Sequence, residues 1–505
     1  MRSLRQKLAD LPSAPGGSAP SQRKEPVRAT SGAPAPEAEP RPAEPSAAPA
    51  KPTLDELRAR IAALVGHREP VRPRPDPSAG ELPFFVEHTP VGPRYVRRVR
   101  AAPAARVGRA PLVAARTADP VTLGLLALDP VVGGCDPRKA LYLDTETTGL
   151  AGGTGTVAFL VGLAFFDEAH GTFVLEQMLL RRLGEEAPIL ELLHRRIAEA
   201  SMVVTYNGKS FDVPLLRTRY VMNRLPQPTE PPHLDLLHVA RRVHKHRLAT
   251  CSLASIESHI LGRERMGDVA GADIVEAYAH FLRTGDEGSL HGVVTHNEHD
   301  VWAMVALLGL YGEPFGVLDP GGDEEPAPAE SGARRVSRPF SEPCAGPGGG
   351  LGPSDLAGIA RTLHRAGAID RAHALAGEAL RAGGGPLARR VSADVLRARG
   401  EIAAALQEYE ALLTEVDDPE VRLVLAKLYE HKGRAAAGSL SLAYERALAI
   451  VAAGTTESEA ATRRRRERLE RKLVGATSGN RSLATSGNRS LATSGNRSLA
   501  RGKKL

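Results

Sequence analysis

Three apolar runs between Ala140 and Leu180 constrain this 505-residue chain more than any other feature. ALYLDTE, TVAFLVGLAFF and TFVLEQMLL are each of strand length and are separated by turn residues, which predicts a three-stranded meander. The first run carries Asp144 and Glu146 two residues apart, so both carboxylates project from one face of an apolar strand. Like charges at that range raise each other's pKa, and a strand of this kind would not ordinarily carry them unless a cation offset the charge. Downstream, the pattern predicts a helix over 185–200, the strand MVVTYN and a helix over 211–223, then helices at LDLLHVARRV, SLASIESHIL, DIVEAYAHFL and VVTHNEHDVWAMVALLGLY. FFVEHTP and PRYVRRV add two short strands upstream. The expected fold class of 82–312 is a mixed α/β domain, helices packed on a mixed sheet.

The rest of the chain divides by composition. Eighteen of the 39 prolines lie in the first hundred residues, and 1–81 is a Pro/Ala-rich segment that reads as disordered apart from a short helix near 53–65, opened by Thr53 and Glu56. A Pro/Gly/Glu-rich linker covers 313–353. In 354–452 Gly367, Gly400 and Gly433 recur every 33 residues, with Ala360, Ala393 and Ala426 seven positions before and Leu363, Leu396 and Tyr429 four before. That period is the mark of stacked helix hairpins, and it resembles tetratricopeptide repeats without their signature Trp. The third unit departs after Gly433. The remainder, 453–505, is a basic low-complexity tail ending in three copies of ATSGNRSL, and reads as disordered.

Charge and cysteine usage narrow the function classes. The chain carries a net +7, yet residues 140–310 are net −6 and residues 462–505 net +11, so the basicity belongs to the tail. Cys135, Cys251 and Cys344 are far apart and match neither a disulfide framework nor a Cys-based zinc ribbon, and a reducing cytoplasm fits them best. No apolar run is long enough to span a bilayer, so no membrane role is expected.

Asp212 closes the motif YNGKSFD where a strand gives way to a helix, and Asp300 lies in the helix HNEHDVWAMVALL with His296 one turn before it on the same side. Four carboxylates from three segments plus one imidazole form a set of hard ligands suited to Mg²⁺ or Mn²⁺ rather than zinc. Asn207 is either a hydrogen-bonding partner of substrate or carboxylate, or a turn residue. Arg241, Arg242, Lys245 and Arg247 are either a phosphate track or a solvated helix face.

DTETTGL, YNGKSFD and HNEHD, in this order, resemble the three motifs of the DnaQ-like, or DEDD, 3′-5′ exonucleases on the ribonuclease-H-like fold. DTETTGLAGGTGTVAFLVGL, LDLLHVARR and CSLASIESHILG resemble more narrowly the YprB-type ribonuclease-H-like family. The resemblance implies a cytoplasmic nuclease acting on single-stranded DNA or RNA, with Asp144, Glu146, Asp212 and Asp300 holding two divalent ions and His296 orienting or deprotonating the attacking water. It also implies that Thr148 and Leu150 contact the terminal nucleotide. His296 stands four residues before Asp300, where the tyrosine subclass has a Tyr, whereas the histidine subclass has its His five before. The helical repeats would support the nuclease or bind a protein partner. Two other readings remain: a scaffold protein that binds nucleic acid through its repeats without catalysis, and a structure-selective endonuclease on the same fold.

Overall fold

The computed structural model describes residues 82–102, 104–149, 154–265, 267–315 and 351–492. The helix expected near 53–65 and Leu150 lie outside the described residues, as does most of the 313–353 linker. Seven strands form one sheet: β1 (Phe85–Thr89), β2 (Gly92–Arg100), β3 (Ala140–Thr147), β4 (Ala158–Asp167), β5 (Thr172–Leu179), β6 (Met202–Thr205) and β7 (His233–Asp235), in the spatial order β1-β2-β5-β4-β3-β6-β7. The expected meander is β3-β4-β5, antiparallel throughout, and β6 and β7 continue the sheet in parallel with β3. The sequence pattern LDLLHVARRV takes Leu234 and Asp235 of β7 into a helix, but Asp235 accepts from the Leu237 amide as the cap and the helix starts two residues later, at Leu236.

Helices cover both faces. Leu141, Leu143 and Leu163 pack under α2 (Ala187–Glu199) and α3 (Asp212–Met222), while Tyr142, Ala164 and Val204 pack under α4 (Leu236–His244) and α6 (His291–Tyr311). Two further helices, α1 (Pro120–Ala127) and α5 (Gly271–Thr284), belong to this part, and where SLASIESHIL predicts a helix the chain makes one turn of α-helix (Leu253–Ile256) followed by a π-turn (Glu257–Leu261). Every residue of α6 from Val301 to Tyr311 is buried, Trp302 included. No helix among the described residues is long and apolar enough to cross a membrane.

The C-terminal helices pair as hairpins: α7 (Pro353–Arg365) with α8 (Ile369–Arg381), α9 (Gly385–Arg399) with α10 (Ile402–Glu415), and α11 (Pro419–Lys432) with α12 (Leu440–Ala452). Gly367 and Gly400 turn the first two at φ +87° and +83°, a conformation that favours glycine. Gly433 sits at φ −74° instead, and a short helical turn at 434–437 follows it, so the third hairpin departs from the repeat where the sequence does. The first hairpin shares a core with the sheet domain: Ile359, Ala360 and Leu363 of α7 join the same apolar cluster as Val239 and Val243 of α4. A Cβ on Gly358 would lie 2.9 Å from the Val243 carbonyl carbon and closer still to its oxygen, so only glycine permits this helix contact. At the same junction His244 bonds Asp355 at 2.8 Å and the Tyr311 hydroxyl at 2.9 Å, all three side chains being buried.

The tail is more structured than its composition suggests. A helix α13 (Glu459–Ala492) runs through two of the ATSGNRSL copies. Its first turns pack on α12, and buried Glu430 of α11 meets Arg465 at 2.7 Å, Arg468 at 2.6 Å and Lys472 at 3.0 Å. Three of the tail's cations are therefore committed to a carboxylate.

Two predictions follow from this packing. Gly358→Ala forces a methyl group against the α4 backbone and is expected to cost about 1–3 kcal/mol, read as a lower unfolding midpoint and faster proteolytic cleavage between the sheet domain and α7. Burial works against the Glu430 carboxylate, but Arg468 and Lys472 hold it at about 2, below its ordinary value of 4.5. Docking of α13 is thus fully stabilised above the ordinary value and lost as pH falls through the folded one. Hydrogen exchange should show α13 losing protection across that acid window, and Glu430→Gln should show weak protection at neutral pH.

Candidate active site

The parallel strands β3, β6 and β7 end on one edge of the sheet, and the sequence motifs meet there. Asp144 and Glu146 lie on β3, the 206–211 loop leaves β6 and delivers Asp212 to the first position of α3, and Asp235 ends β7. Ligands of open α/β sheets bind outside such carboxyl ends. Asp235 accepts from the amides of Asn207 (2.8 Å) and Lys209 (3.1 Å) as well as capping α4, so it fixes the loop that carries Asp212. Asn207 has φ +70°, a left-handed position that Asn tolerates better than most residues, and it is a turn residue.

Burial and crowding set the electrostatics. Glu146 and Asp212 are each only 8% exposed. Burial pushes Glu146 up to about 7; the imidazole of His296 opposes this and the charges of Asp300, Asp212 and Asp268 reinforce it. Asp212 is pushed up to about 6 by burial, despite a 2.5 Å hydrogen bond from the Thr145 hydroxyl. Asp144 is held well above the usual carboxylate range by burial and then by Asp300, Glu146 and Asp212.

Asp144 is positioned by a line of polar side chains that the sequence does not reveal. It pairs across the sheet with Gly162 on β4, which pairs with Gln177 on β5, which pairs with Arg97 on β2. Over this row lies Asn297 of α6, fully buried, donating to Asp144 at 2.8 Å and accepting from Gln177 at 2.9 Å. Gln177 accepts from Arg97 at 2.5 Å, and Arg97 also reaches Glu298 at 2.7 Å. A Cβ on Gly162 would come within 2.8 Å of the Asn297 amide carbon, so glycine there is what admits Asn297.

His296 and Asp300 sit one turn apart on α6, with Nε2 3.7 Å from Asp300. The Nδ1 of His296 bonds Asp268 at 2.6 Å. Burial lowers the affinity of this imidazole for a proton, but Asp300, Glu146 and Asp268 outweigh it and raise the pKa above the ordinary value. Asp300 also forms an ion pair with Arg265, a nearly buried guanidinium that meets Glu257 and Asp268 as well. Among the described residues no three Asp, Glu, His or Cys side chains form a ready group of metal ligands. The four carboxylates expected to share two ions are coupled through their charges but are not a closed ligand set here, and Asp300 is engaged by Arg265. Thr148 bonds the 157 backbone, its hydroxyl accepting from the Val157 amide at 3.0 Å and its amide donating to the Val157 carbonyl, so it closes the turn after β3.

Sequence reasoning missed Asn297, Gln177, Asp268 and Arg265. Asn297 had a signal, a polar residue in the buried stripe of Val293, Val294 and Val301; Arg265 and Asp268 lie in an aperiodic loop and had none.

Residues 141–311 match the family described as the RNase H superfamily. An uncharacterized protein of Bacillus subtilis strain 168, YprB, is 38% identical over 176 residues, which is 34% of this chain and 42% of YprB. The chain thus spans less than half the length of that relative. The sheet order, the edge on which the acids gather and these matches agree: the segment 141–311 belongs to the RNase H superfamily and is a ribonuclease-H-like domain of the YprB type.

Proposed function

We propose that this chain is a divalent-metal-dependent nuclease that removes nucleotides from the 3′ end of single-stranded DNA or RNA. The observation that carries the reading is the crowding of Asp144, Glu146 and Asp212 at the carboxyl ends of parallel strands, where burial and mutual repulsion make three carboxylates costly without added positive charge. The donor chemistry fits Mg²⁺ or Mn²⁺, which take oxygen ligands, and Asp144, Glu146, Asp212 and Asp300 would hold the ions. Bound there, such ions would supply Lewis-acid charge to the phosphodiester and lower the pKa of the attacking water.

The chain's own residues do the positioning. Asn297 holds one oxygen of Asp144, and the Thr145 hydroxyl holds one of Asp212. Asp268 accepts a hydrogen bond from Nδ1–H of His296, which leaves Nε2 facing Asp300 as the atom that accepts or holds a proton. The motif order DTETTGL, YNGKSFD, HNEHD supports attack from a 3′ end. Strands labelled at the 5′ end and incubated with Mn²⁺, Mg²⁺ or EDTA test it: a metal-dependent ladder shortening from the 3′ end is expected, and internal cuts alone would favour an endonuclease.

Asp144→Asn and Asp212→Asn are expected to abolish cleavage while the protein stays folded. In EDTA the folded state holds protons on Asp144, Glu146 and Asp212 that the unfolded chain releases. Stability therefore falls as pH rises from the ordinary values of 3.8 and 4.5 through about 6 and 7. The melting temperature in EDTA should be a few degrees lower near about pH 8 than near about pH 5, with Mn²⁺ restoring it at the higher pH and Asp144→Asn flattening the dependence.

His296→Ala should lower turnover by roughly 10²–10⁴, the range of a positioned general base. Asp268→Asn removes a charge that raises the His296 pKa, so its pH–rate profile should move to lower pH. An unmoved profile would take the base role from His296.

A further inference from the structure

The basic residues after Asp235 do not act as one cluster. Arg247 pairs with buried Asp355 at 2.8 Å and belongs to the domain junction. Arg241, Arg242 and Lys245 instead line a groove of about 1150 Å³ between α4 and α7, and α7 contributes Arg361 and Arg365 from the opposite side. Among the described residues no carboxylate lines this groove, and none of these five cations has an ion-pair partner. Their packing is close. Arg361 donates to the Arg242 carbonyl at 3.1 Å, and burial followed by the charge of Arg365 holds both the Arg242 and Arg361 guanidinium groups below their ordinary pKa. Like charges gathered without counter-ions raise the energy of the fold and are relieved by an anion.

The groove is larger than a typical small-ligand site, and it is anchored to the candidate active site. Tyr206 and Asn207 also line it, six and five residues before Asp212, on the loop that Asp235 holds to the start of α4. From there α4 carries its cations away from the catalytic edge over nine residues, about 14 Å. The Tyr206 hydroxyl is engaged with the Cys251 carbonyl at 2.5 Å, and among the described residues no other aromatic ring except His238 lines the groove. Such a lining holds phosphates without reading bases.

We propose that this groove carries the phosphate backbone of the single-stranded substrate to the catalytic edge, and that the first helical hairpin is its second wall. The identity of the polymer rests on the nuclease reading; the anion-binding role of the five cations does not. The hairpin is then part of the substrate path, fixed in place by the glycine contact of Gly358 on α4.

The test is binding of fluorescein-labelled oligothymidine to the full chain in EDTA, by anisotropy, across about 50–200 mM salt. Lys245→Gln/Arg365→Gln removes one exposed cation from each wall and should lower affinity while making the slope of log K against log salt shallower by about 1.4, at about 0.7 per lost single-strand phosphate contact. Arg241→Gln/Arg365→Gln provides a second pair, and melting curves confirm that each variant is folded. Slopes equal to wild type in both pairs overturn the proposal, as does displacement of the oligonucleotide by polyglutamate at equal charge concentration. Metal-dependent cleavage is assayed in parallel on the wild type. Cleavage with unchanged slopes removes the groove and leaves the nuclease; shallower slopes without any cleavage remove the nuclease and leave the groove.

Discussion

The candidate active site depends on one close approach, that of Asn297 on α6 to Gly162 on β4. The absence of a side chain at 162 lets a buried amide reach the sheet and bond Asp144 and Gln177 together. A buried amide left without partners is costly, so the helix is fixed both along its axis and in rotation wherever these bonds are made. The rotation carries His296 and Asp300 with it, because they flank Asn297 on the same helix. The second carboxylate segment is tied in separately, Thr145 bonding Asp212 around the end of β3. Asp144, Asp212 and Asp300 come from three distant stretches of chain, and three short hydrogen-bonded links set their relative positions.

The junction with the helical hairpins follows a similar rule. Gly358 lets α7 approach α4 to backbone contact, and His244, Asp355 and Tyr311 then form a fully buried polar set across it. Asp355 is held below the usual carboxylate range by His244 and Arg247 even though burial opposes it. A buried, bonded ion pair of this kind adds little net stability compared with apolar packing, but it penalises any other docking of the hairpin by leaving a charge unpaired. The two glycine contacts, at 162 and 358, therefore do the same work at different places. Each admits one buried polar group that makes a single arrangement of the helix preferable.

How much of this was legible in the sequence depends on whether the information is local. The meander, α2, α3, α5 and α6 follow from hydrophobic period and turn residues, which neighbouring side chains settle among themselves. The repeat also announced its own irregularity, since Gly433 lacks the left-handed turn that Gly367 and Gly400 adopt. Leu234 and Asp235 of β7 are hidden inside a helical pattern, because a short parallel strand is defined by its pairing to β6 and not by its own composition. The docking of α13 was invisible for a related reason. Arg465, Arg468 and Lys472 look like a solvated basic run until Glu430, 35 to 42 positions earlier, is placed beside them. The acids of the site were legible as residues in ordered motifs; the partners that orient them were not, because Gln177, Asn297 and Asp268 acquire their roles only through contacts more than a hundred or some tens of positions apart.

Arg265 explains how a chain can carry so many buried acids and still fold. It meets Glu257, Asp268 and Asp300, placing one permanent positive charge among three negative ones. Even so, Glu257 is pushed up to about 7, and Asp144 and Glu146 remain raised, so a single guanidinium does not neutralise the cluster. Moreover, its reach is confined to one side: the acids it touches lie with α6 and the loop before it, and none of Asp144, Glu146 and Asp212 is paired with it. A guanidinium is planar and fixed to its own backbone, so it can balance charge on that side without filling the space between the strand acids. The residual repulsion is thus concentrated at the end of β3 and the start of α3, where Asp144, Glu146 and Asp212 carry unbalanced negative charge on the side that Arg265 does not reach.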